Sequence, residues 1–362
     1  MNVTPCSPPA TASGPCFFGV DVGGTNIKIG LVDDEGRTLA FQSIVTEDGA
    51  GAAAAIGRAA ETCRQLARQA GVPMERVKRA GLGTPGPMSL SEGKLLDPSN
   101  LPAWHNFAAR QTLEDALGLP VSFINDANAA AMGEAWVGAG AGRRGLALFT
   151  LGTGVGGGLI NEGQLINGVN SFGSELGHVV VDSRADARLC VWGGGRGQLE
   201  AYASASAVAD QARRGLEAGV DSCLRAQFAA SSSAASSTAS SEGGAEPSPP
   251  EITAKDVHQA ALAGDEFALR LVDEAAFYLG IGVTCAVHAI DPGLVLLGGA
   301  MDFGGRQCAV GRRFLQGVID EFRRRTFANV FAGTTIDFAT LGGDAGYIGA
   351  AAVARQDYRQ QS

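Results

Sequence analysis

One pattern occurs twice in this chain. Phe18-Gly19-Val20-Asp21-Val22-Gly23-Gly24-Thr25-Asn26-Ile27-Lys28-Ile29-Gly30-Leu31-Val32 is echoed by Phe149-Thr150-Leu151-Gly152-Thr153-Gly154-Val155-Gly156-Gly157-Gly158-Leu159-Ile160. Each copy has an apolar run, a Gly/Thr bend, a second apolar run and a polar turn closed by glycine, at Gly36 and Gly163. That pattern predicts a β-hairpin with a glycine-rich bend, made twice. Glycine lets backbone N–H groups converge on an anion with no Cβ in the way. Two such bends facing each other can hold the phosphates of a nucleotide. The chain therefore reads as two related halves with phosphate chemistry between them.

The totals narrow the partners. At 362 residues, one to two domains are expected. A net charge of -9 argues against a nucleic-acid partner, which calls for a basic face. No apolar run approaches the roughly 20 residues that span a bilayer, so no membrane partner is expected. The 7 cysteines are odd in number and scattered, with no Cys-x-x-Cys pair. That usage suits a reducing, cytoplasmic setting rather than a disulfide framework. Residues 1–15 are polar, without a basic start or an apolar centre. They read as a disordered tail and not as a secretory signal.

Along the chain, residues 50–70 have helical composition, stopped by Gly71-Val72-Pro73. A strand is predicted over 77–82, a helix over 107–117 closed by Gly118, and a strand over 121–124. Asn125-Asp126 falls where the helix 127–137 must begin. The order is that of a layered α/β domain. After the second hairpin, residues 202–216 read as helical. Residues 223–250, rich in Ser, Ala and Pro, read as a flexible low-complexity insertion. Apolar spacing over 267–290 predicts a helix packed on one face, ended by Asp291-Pro292-Gly293. A buried strand, 294–297, then runs into Gly298-Gly299, and a last helix spans 344 to about 354.

Six motifs stand in order: Asp21-x-Gly-Gly-Thr25-x-x-Lys28, Asn125-Asp126-Ala127-Asn128, Leu151-Gly-Thr-Gly-x-Gly156, Glu175-Leu176-Gly177-His178, Leu199-Glu200-Ala-Tyr and Leu297-Gly-Gly299. The set resembles the ROK family of sugar kinases and repressors, in the actin-like ATPase superfamily, over nearly the whole chain. The resemblance implies an α/β fold of two duplicated actin-like ATPase (ribonuclease H-like) domains with a central ATP/sugar cleft. The expected boundaries are 16–125 with 344–362 for the N-terminal domain and 126–343 for the C-terminal one.

Residue chemistry and resemblance give each position two readings. Asp21 ends the first strand beside the bend, either as a turn cap or as a carboxylate toward magnesium. Gly23, Gly24 and Thr25 form the first bend, and Thr153 and Gly154 the second. Lys28 offers a cation to the phosphates or is the exposed side of a strand. Asp126 is a good N-cap by type, whereas the resemblance makes it the base that accepts the sugar hydroxyl proton. Glu175 and His178 are three apart, so one helical turn faces both the same way. By resemblance these two, with Glu200, Asn100 and Asn125, bind sugar hydroxyls, while Gly298 and Gly299 lie near adenosine. The bland reading of Glu175 or Glu200 is a solvated loop acid.

One departure concerns metal. Kinases resembling this chain commonly hold a structural zinc with the motif histidine and a cysteine-rich loop. Here the loop reads Cys190-Val191-Trp192-Gly193-Gly194-Gly195-Arg196-Gly197-Gln198. Gln198, Gly193 and Val191 stand where thiolates are expected, and Cys190 is displaced by a residue. A closed zinc site needs four ligands, so structural zinc is not expected, and the glycines and Trp192 are expected to pack the loop.

The implied activity is an ATP-dependent hexose kinase, foremost a glucokinase acting on the 6-hydroxyl with magnesium-bound ATP, with domain closure excluding water. Another hexose kinase, for fructose, mannose or an N-acetylhexosamine, is the first alternative. A sugar-sensing regulator is the second, disfavoured because only about 16 residues precede the first strand, too few for a helix-turn-helix. A homodimer is a further expectation of the resemblance.

Overall fold

The computed structural model describes residues 14–98, 100–190, 195–226 and 252–361. The chain divides into two compact units. One comprises Met1–Leu148, Gly157–Ser174 and Ala339–Ser362, and the other Phe149–Gly156 and Glu175–Phe338. The division places 126–148 in the first unit, where the sequence reading begins the second domain at 126.

In the first unit, strands β1 (Cys16–Val22), β2 (Asn26–Asp33), β3 (Thr38–Val45) and β4 (Val77–Thr84) precede a two-stranded ribbon, β5 (Met88–Ser89) and β6 (Lys94–Leu95), and then β7 (Val121–Asn125). The sheet order is β3-β2-β1-β4-β7. β2 is antiparallel to both of its neighbours, and β1, β4 and β7 run parallel. β1 is apolar on both faces because it lies between helical layers. Phe18, Val20 and Val22 share a core with Ile56, Cys63 and Leu66 of α1 (Ala52–Gln69) and Leu113 of α2 (Ala109–Leu117). Phe17 faces the other way, into a cluster with Tyr347 and Ile348.

α3 (Asp126–Val137) follows β7 directly. Its Glu134 has no exposed surface. The Glu134 carboxylate accepts the N–H groups of Ala139 at 2.8 Å, Thr340 at 2.8 Å and Leu341 at 2.7 Å, and the Thr340 hydroxyl at 3.1 Å. One buried side chain thus fastens the end of α3 to the segment returning to this unit.

The second sheet contains β8 (Leu146–Leu151), β9 (Val155–Asn161), β10 (Gln164–Leu165), β11 (Leu294–Gly298) and β12 (Thr335–Phe338), in the order β10-β9-β8-β11-β12. β8 and β9 run through the boundary between the units. Counting only the strands of each five-stranded sheet, both have the order third-second-first-fourth-fifth. The duplication expected from the repeated hairpin is present in the topology.

The helices of the second half are α4 (Glu200–Ala203), α5 (Ala205–Glu217), α6 (Ala254–Leu262), α7 (Glu266–Ile290), α8 (Ala309–Arg325) and α9 (Ala328–Gly333), and α10 (Ala345–Gln361) ends the chain in the first unit. α7 has 25 residues and a mean hydropathy of 1.2, enough by length and composition to cross a membrane. Its Phe267, Leu271, Val272, Leu279, Val283 and Val287 are buried, so it is a core helix of its unit.

Several local expectations change. The helix over 202–216 breaks at Ser204, which leaves the helical region at ψ 163° and caps α5 by accepting the Ala207 N–H at 3.1 Å. The last helix continues to Gln361. The sequence reading missed α8, although Val310, Phe314, Leu315, Val318 and Phe322 carry its period and are buried. Residues 1–13 of the expected tail and 227–250 of the expected insertion, with residue 251, lie outside the described residues. At their edges, Gly14 O accepts from Arg76 at 2.8 Å and the Cys223 N–H donates to Asp265 Oδ2 at 2.7 Å.

Candidate active site

In the first unit the parallel strands β1, β4 and β7 end together. Asp21 pairs with Gly83, and Thr84 with Asn125, so their C-terminal edge carries Asp21, Thr84 and Asn125-Asp126. Open α/β sheets bind ligands at this edge.

The sequence reading offered Asp126 as the helix cap; the structure gives that task to Asn125. Its Oδ1 accepts the N–H groups of Ala127 at 3.0 Å and Asn128 at 3.2 Å. The preceding residue wins because it alone has the extended backbone, at φ -68° and ψ 146°, that aims a side chain back at the first turn. Asp126 is the first helical residue, half-buried, with Oδ1 accepting its neighbour's N–H at 2.8 Å. Asn125 Oδ1 is thus committed to the cap, and only its amide NH₂ group is left to donate elsewhere.

Asp21 is half-buried at the end of β1. Burial pushes its carboxyl up to about 6, with the Lys28 ammonium pulling the other way. A side chain at Gly346 would place its Cβ 2.3 Å from Asp21 Oδ2, so only glycine fits there. Lys28 stands opposite Asp21 across the hairpin and donates to Gly343 O at 2.6 Å. Gly23, Gly24 and Thr25 form the bend, and a Cβ on Gly24 would lie 3.4 Å from Asn100 O. Asn100 therefore sits beside the first bend. The first unit brings together Asp21, the bend, Lys28 and Asn100 around one end of its sheet, with Asn125 and Asp126 on the same edge.

The second unit holds the remaining candidates. Thr153 is exposed in the second bend, which closes with a bond from Gly152 N to Gly154 O at 3.0 Å. β11 lies beside β8 and ends at Gly298. Gly299 has φ +94°, and a Cβ there would lie 2.3 Å from Leu151 O, so glycine is required twice over. Gly298-Gly299 is thereby held against the strand end that leads into the second bend.

Glu175 precedes a 3₁₀ turn, Leu176–His178, and its Oε2 is 4.0 Å from His178 Nε2. Partial burial raises the Glu175 carboxyl above the usual range; His178 lowers it and the Glu200 charge raises it. Glu200, at the start of α4, is 4% exposed. It is no solvated loop acid: Oε2 accepts the Val155 N–H at 2.9 Å and Oε1 the Cys190 thiol at 3.1 Å.

The donor set does not fit a tetrahedral zinc. Cys190 is turned to Glu200, and Gln198 supplies an amide whose Oε1 is buried with no partner among the described residues. Among the described residues no group of three or more His, Cys, Asp or Glu side chains is arranged for a metal. Residues 191–194, with Val191, Trp192 and Gly193, lie outside the described residues.

A profile of the ROK family matches residues 17–357. The chain belongs to the ROK family. It is 34% identical over 341 residues to a glucokinase from Thermotoga maritima, covering 94% of this chain and 97% of that protein. Among solved structures, it is similar to the ROK hexokinase from Thermus thermophilus, with a TM-score of 0.77 and 30% identity over 95% of this chain and 99% of that one. A ROK family glucokinase from Streptomyces griseus, in complex with glucose and AMPPNP, gives a TM-score of 0.69 and 30% identity over 94% and 99% of the two chains. The two related sheets are those of the two-domain actin-like ATPase fold shared by these ROK structures.

Two residues that sequence reasoning missed bear on the candidate site. Thr46 lies behind the first bend, and Glu134 fastens the C-terminal end of the helix that Asp126 begins. A lone acid within the apolar run Ala129-Ala130-Ala131-Met132-Gly133-Glu134-Ala135-Trp136 was a signal for the second; nothing in the sequence marks the first.

Proposed function

We infer that this chain is an ATP-dependent hexose kinase, with glucose as the favoured sugar and its 6-hydroxyl as the acceptor. The observation that carries the reading is Asp126. It stands on the C-terminal edge of parallel strands, at the first residue of a helix whose cap is supplied by its neighbour. A helix N-terminus favours the ionised carboxylate, the form a base needs.

In the proposed reaction Asp126 accepts the hydroxyl proton as the sugar oxygen attacks the γ-phosphorus in line. The new O–P bond forms while the bond to the β-phosphate oxygen breaks, and ADP leaves. The bends at 23–25 and 152–154 offer N–H groups to phosphate oxygens, and Gly298-Gly299 lies where adenosine passes. Asn100, Asn125, Glu175, His178 and Glu200 read the sugar hydroxyls; a site built on such bonds rejects sugars that lack them.

Magnesium fits the first unit. Asp21 is a carboxylate whose charge is disfavoured by burial, beside a bend of backbone donors, and a bound cation offsets that cost. When bound, the ion would neutralise charge on the β- and γ-phosphates. The relatives named glucokinase and the glucose complex support glucose as the favoured sugar.

The test is ADP release coupled to sugar addition, across glucose, mannose, fructose and N-acetylmannosamine. The highest kcat/KM is expected for glucose. A preference for another sugar overturns the substrate, and no sugar-dependent release with any of them overturns the kinase.

A further inference from the structure

The first bend is held from behind. Thr46, with no exposed surface, follows β3. Its hydroxyl donates to Gly23 O at 2.6 Å and its N–H to Thr25 O at 2.9 Å. The Gly23 N–H is used within the bend, on Asn26 O at 2.9 Å. Gly24 and Thr25 are exposed, and among the described residues their N–H groups find no acceptor. Arg58 of α1 in turn holds Thr46, donating to Thr46 O at 2.6 Å and Val45 O at 3.3 Å, with Glu47 3.4 Å away as its counter-ion.

The second bend closes differently, with Gly152 N on Gly154 O, but shares one feature with a different donor. Gly152 stands in the repeat where Gly23 stands in the first copy. Its carbonyl accepts the Ala205 N–H at 2.8 Å, at the start of α5. The same carbonyl is taken in both halves, by a side-chain hydroxyl in one and by the main chain in the other. A carbonyl left loose at that position can turn its oxygen toward the anion, where the lone pairs repel it. Tying it inward commits the outer face of the bend to N–H donors.

We propose that Thr46 is a positioning residue for the nucleotide, fixing the Gly23 carbonyl inward so that the Gly24 and Thr25 N–H groups are presented to phosphate. The inference rests on the reading of this bend as a phosphate site.

Thr46→Val keeps the side-chain shape and removes the donor. It is expected to raise the KM for ATP roughly tenfold, the usual cost of one lost hydrogen bond to a buried acceptor, and to leave the hexose KM within about twofold. Thr46→Ser restores the donor and should bring the ATP KM back to within about threefold of the parent. Arg58→Met, on the helix surface, should raise the ATP KM in the same direction by less, and stands in if Thr46→Val does not fold. Gly24→Asp separates the two ideas by placing a charge on the exposed bend. If Gly24→Asp raises the ATP KM while Thr46→Val and Arg58→Met leave it unchanged, the positioning role is wrong and the phosphate site stands. If Gly24→Asp also leaves it unchanged, the phosphate reading itself falls. Equal loss of ATP and hexose affinity in Thr46→Val, not rescued by serine, would reduce Thr46 to a packing residue and overturn the proposal.

Discussion

The Cys190 thiol donates to Glu200 Oε1 at 3.1 Å, while the other oxygen of Glu200 accepts the Val155 N–H at 2.9 Å. The Cys190 thiol therefore serves a carboxylate. Both oxygens of Glu200 are fixed by neighbours in its own unit, one of them by the residue that follows the second bend. A carboxylate held in this way keeps spare lone pairs and loses little rotamer freedom when a ligand arrives, as the proposed sugar role requires.

Glu200→Gln should therefore weaken the sugar and spare the nucleotide. The amide oxygen can still take the Val155 N–H, but the NH₂ group then turns to Cys190, whose sulfur is only a weak acceptor, and the negative charge is gone, so the side chain loses one of its two supports. The hexose KM is expected to rise by about tenfold or more, with the ATP KM within about twofold. Steady-state kinetics with each substrate varied in turn decide it. An unchanged hexose KM would remove Glu200 from the sugar site.

Asp126→Asn should abolish turnover without abolishing binding. Asparagine is compatible with the first turn of α3, and the Asn125 cap is untouched, so the fold is expected to survive. Loss of a general base costs roughly 10²–10⁴-fold in rate. Calorimetric titration with glucose and with an ATP analogue should give near-parental affinities. Near-parental turnover would mean that another group takes the proton.

The repeated hairpin made the duplicated topology legible, because its glycines and apolar runs are local signals. The strand-end position of Asp126 was legible for the same reason. The cap was not, since Asn125 and Asp126 are both good caps by type and only backbone angles separate them. Contacts made at long range left no local trace. Glu134 meets Thr340 206 residues away, and Thr46 meets a glycine carbonyl 23 residues back. The break at Ser204 was hidden in a run of helix-forming alanines, where a capping serine looks like one more polar surface residue.

Asp21 should leave a signature in pH dependence. Its folded-state carboxyl lies at about 6, above the ordinary 3.8, because burial disfavours the charge. Between those values the native state holds more protons than the unfolded state, so stability falls as pH rises through the window, and the cost is complete above it. Asp21→Asn removes that cost and is expected to stabilise the protein by on the order of 2 kcal/mol at pH 8, the gain shrinking toward pH 4. Urea unfolding at the two pH values measures it. In the parent, the ATP KM should rise as pH drops below about 6 and Asp21 takes up a proton. An equal stability gain at both pH values would show that packing, and not charge, separates the two side chains.

Glu134 tests the fastening of α3 directly. Glu134→Ala removes a fully buried acceptor from the Ala139, Thr340 and Leu341 N–H groups, although Ala139 and Thr340 are themselves exposed and water can reach them in part. The expected loss of stability is roughly 2–3 kcal/mol, because water takes over part of the lost bonding. Glu134→Gln keeps the volume and can keep the oxygen that accepts both Thr340 and Leu341. Its NH₂ group then faces the Ala139 N–H, although it can still donate to the Thr340 hydroxyl. About half of the alanine loss is expected for that variant. Urea unfolding of the two variants measures the difference. Equal losses would mean that the charge of the carboxylate carries the whole effect, and negligible losses in both would mean that water replaces it at no cost, so that the segment entering α10 is held by apolar packing alone.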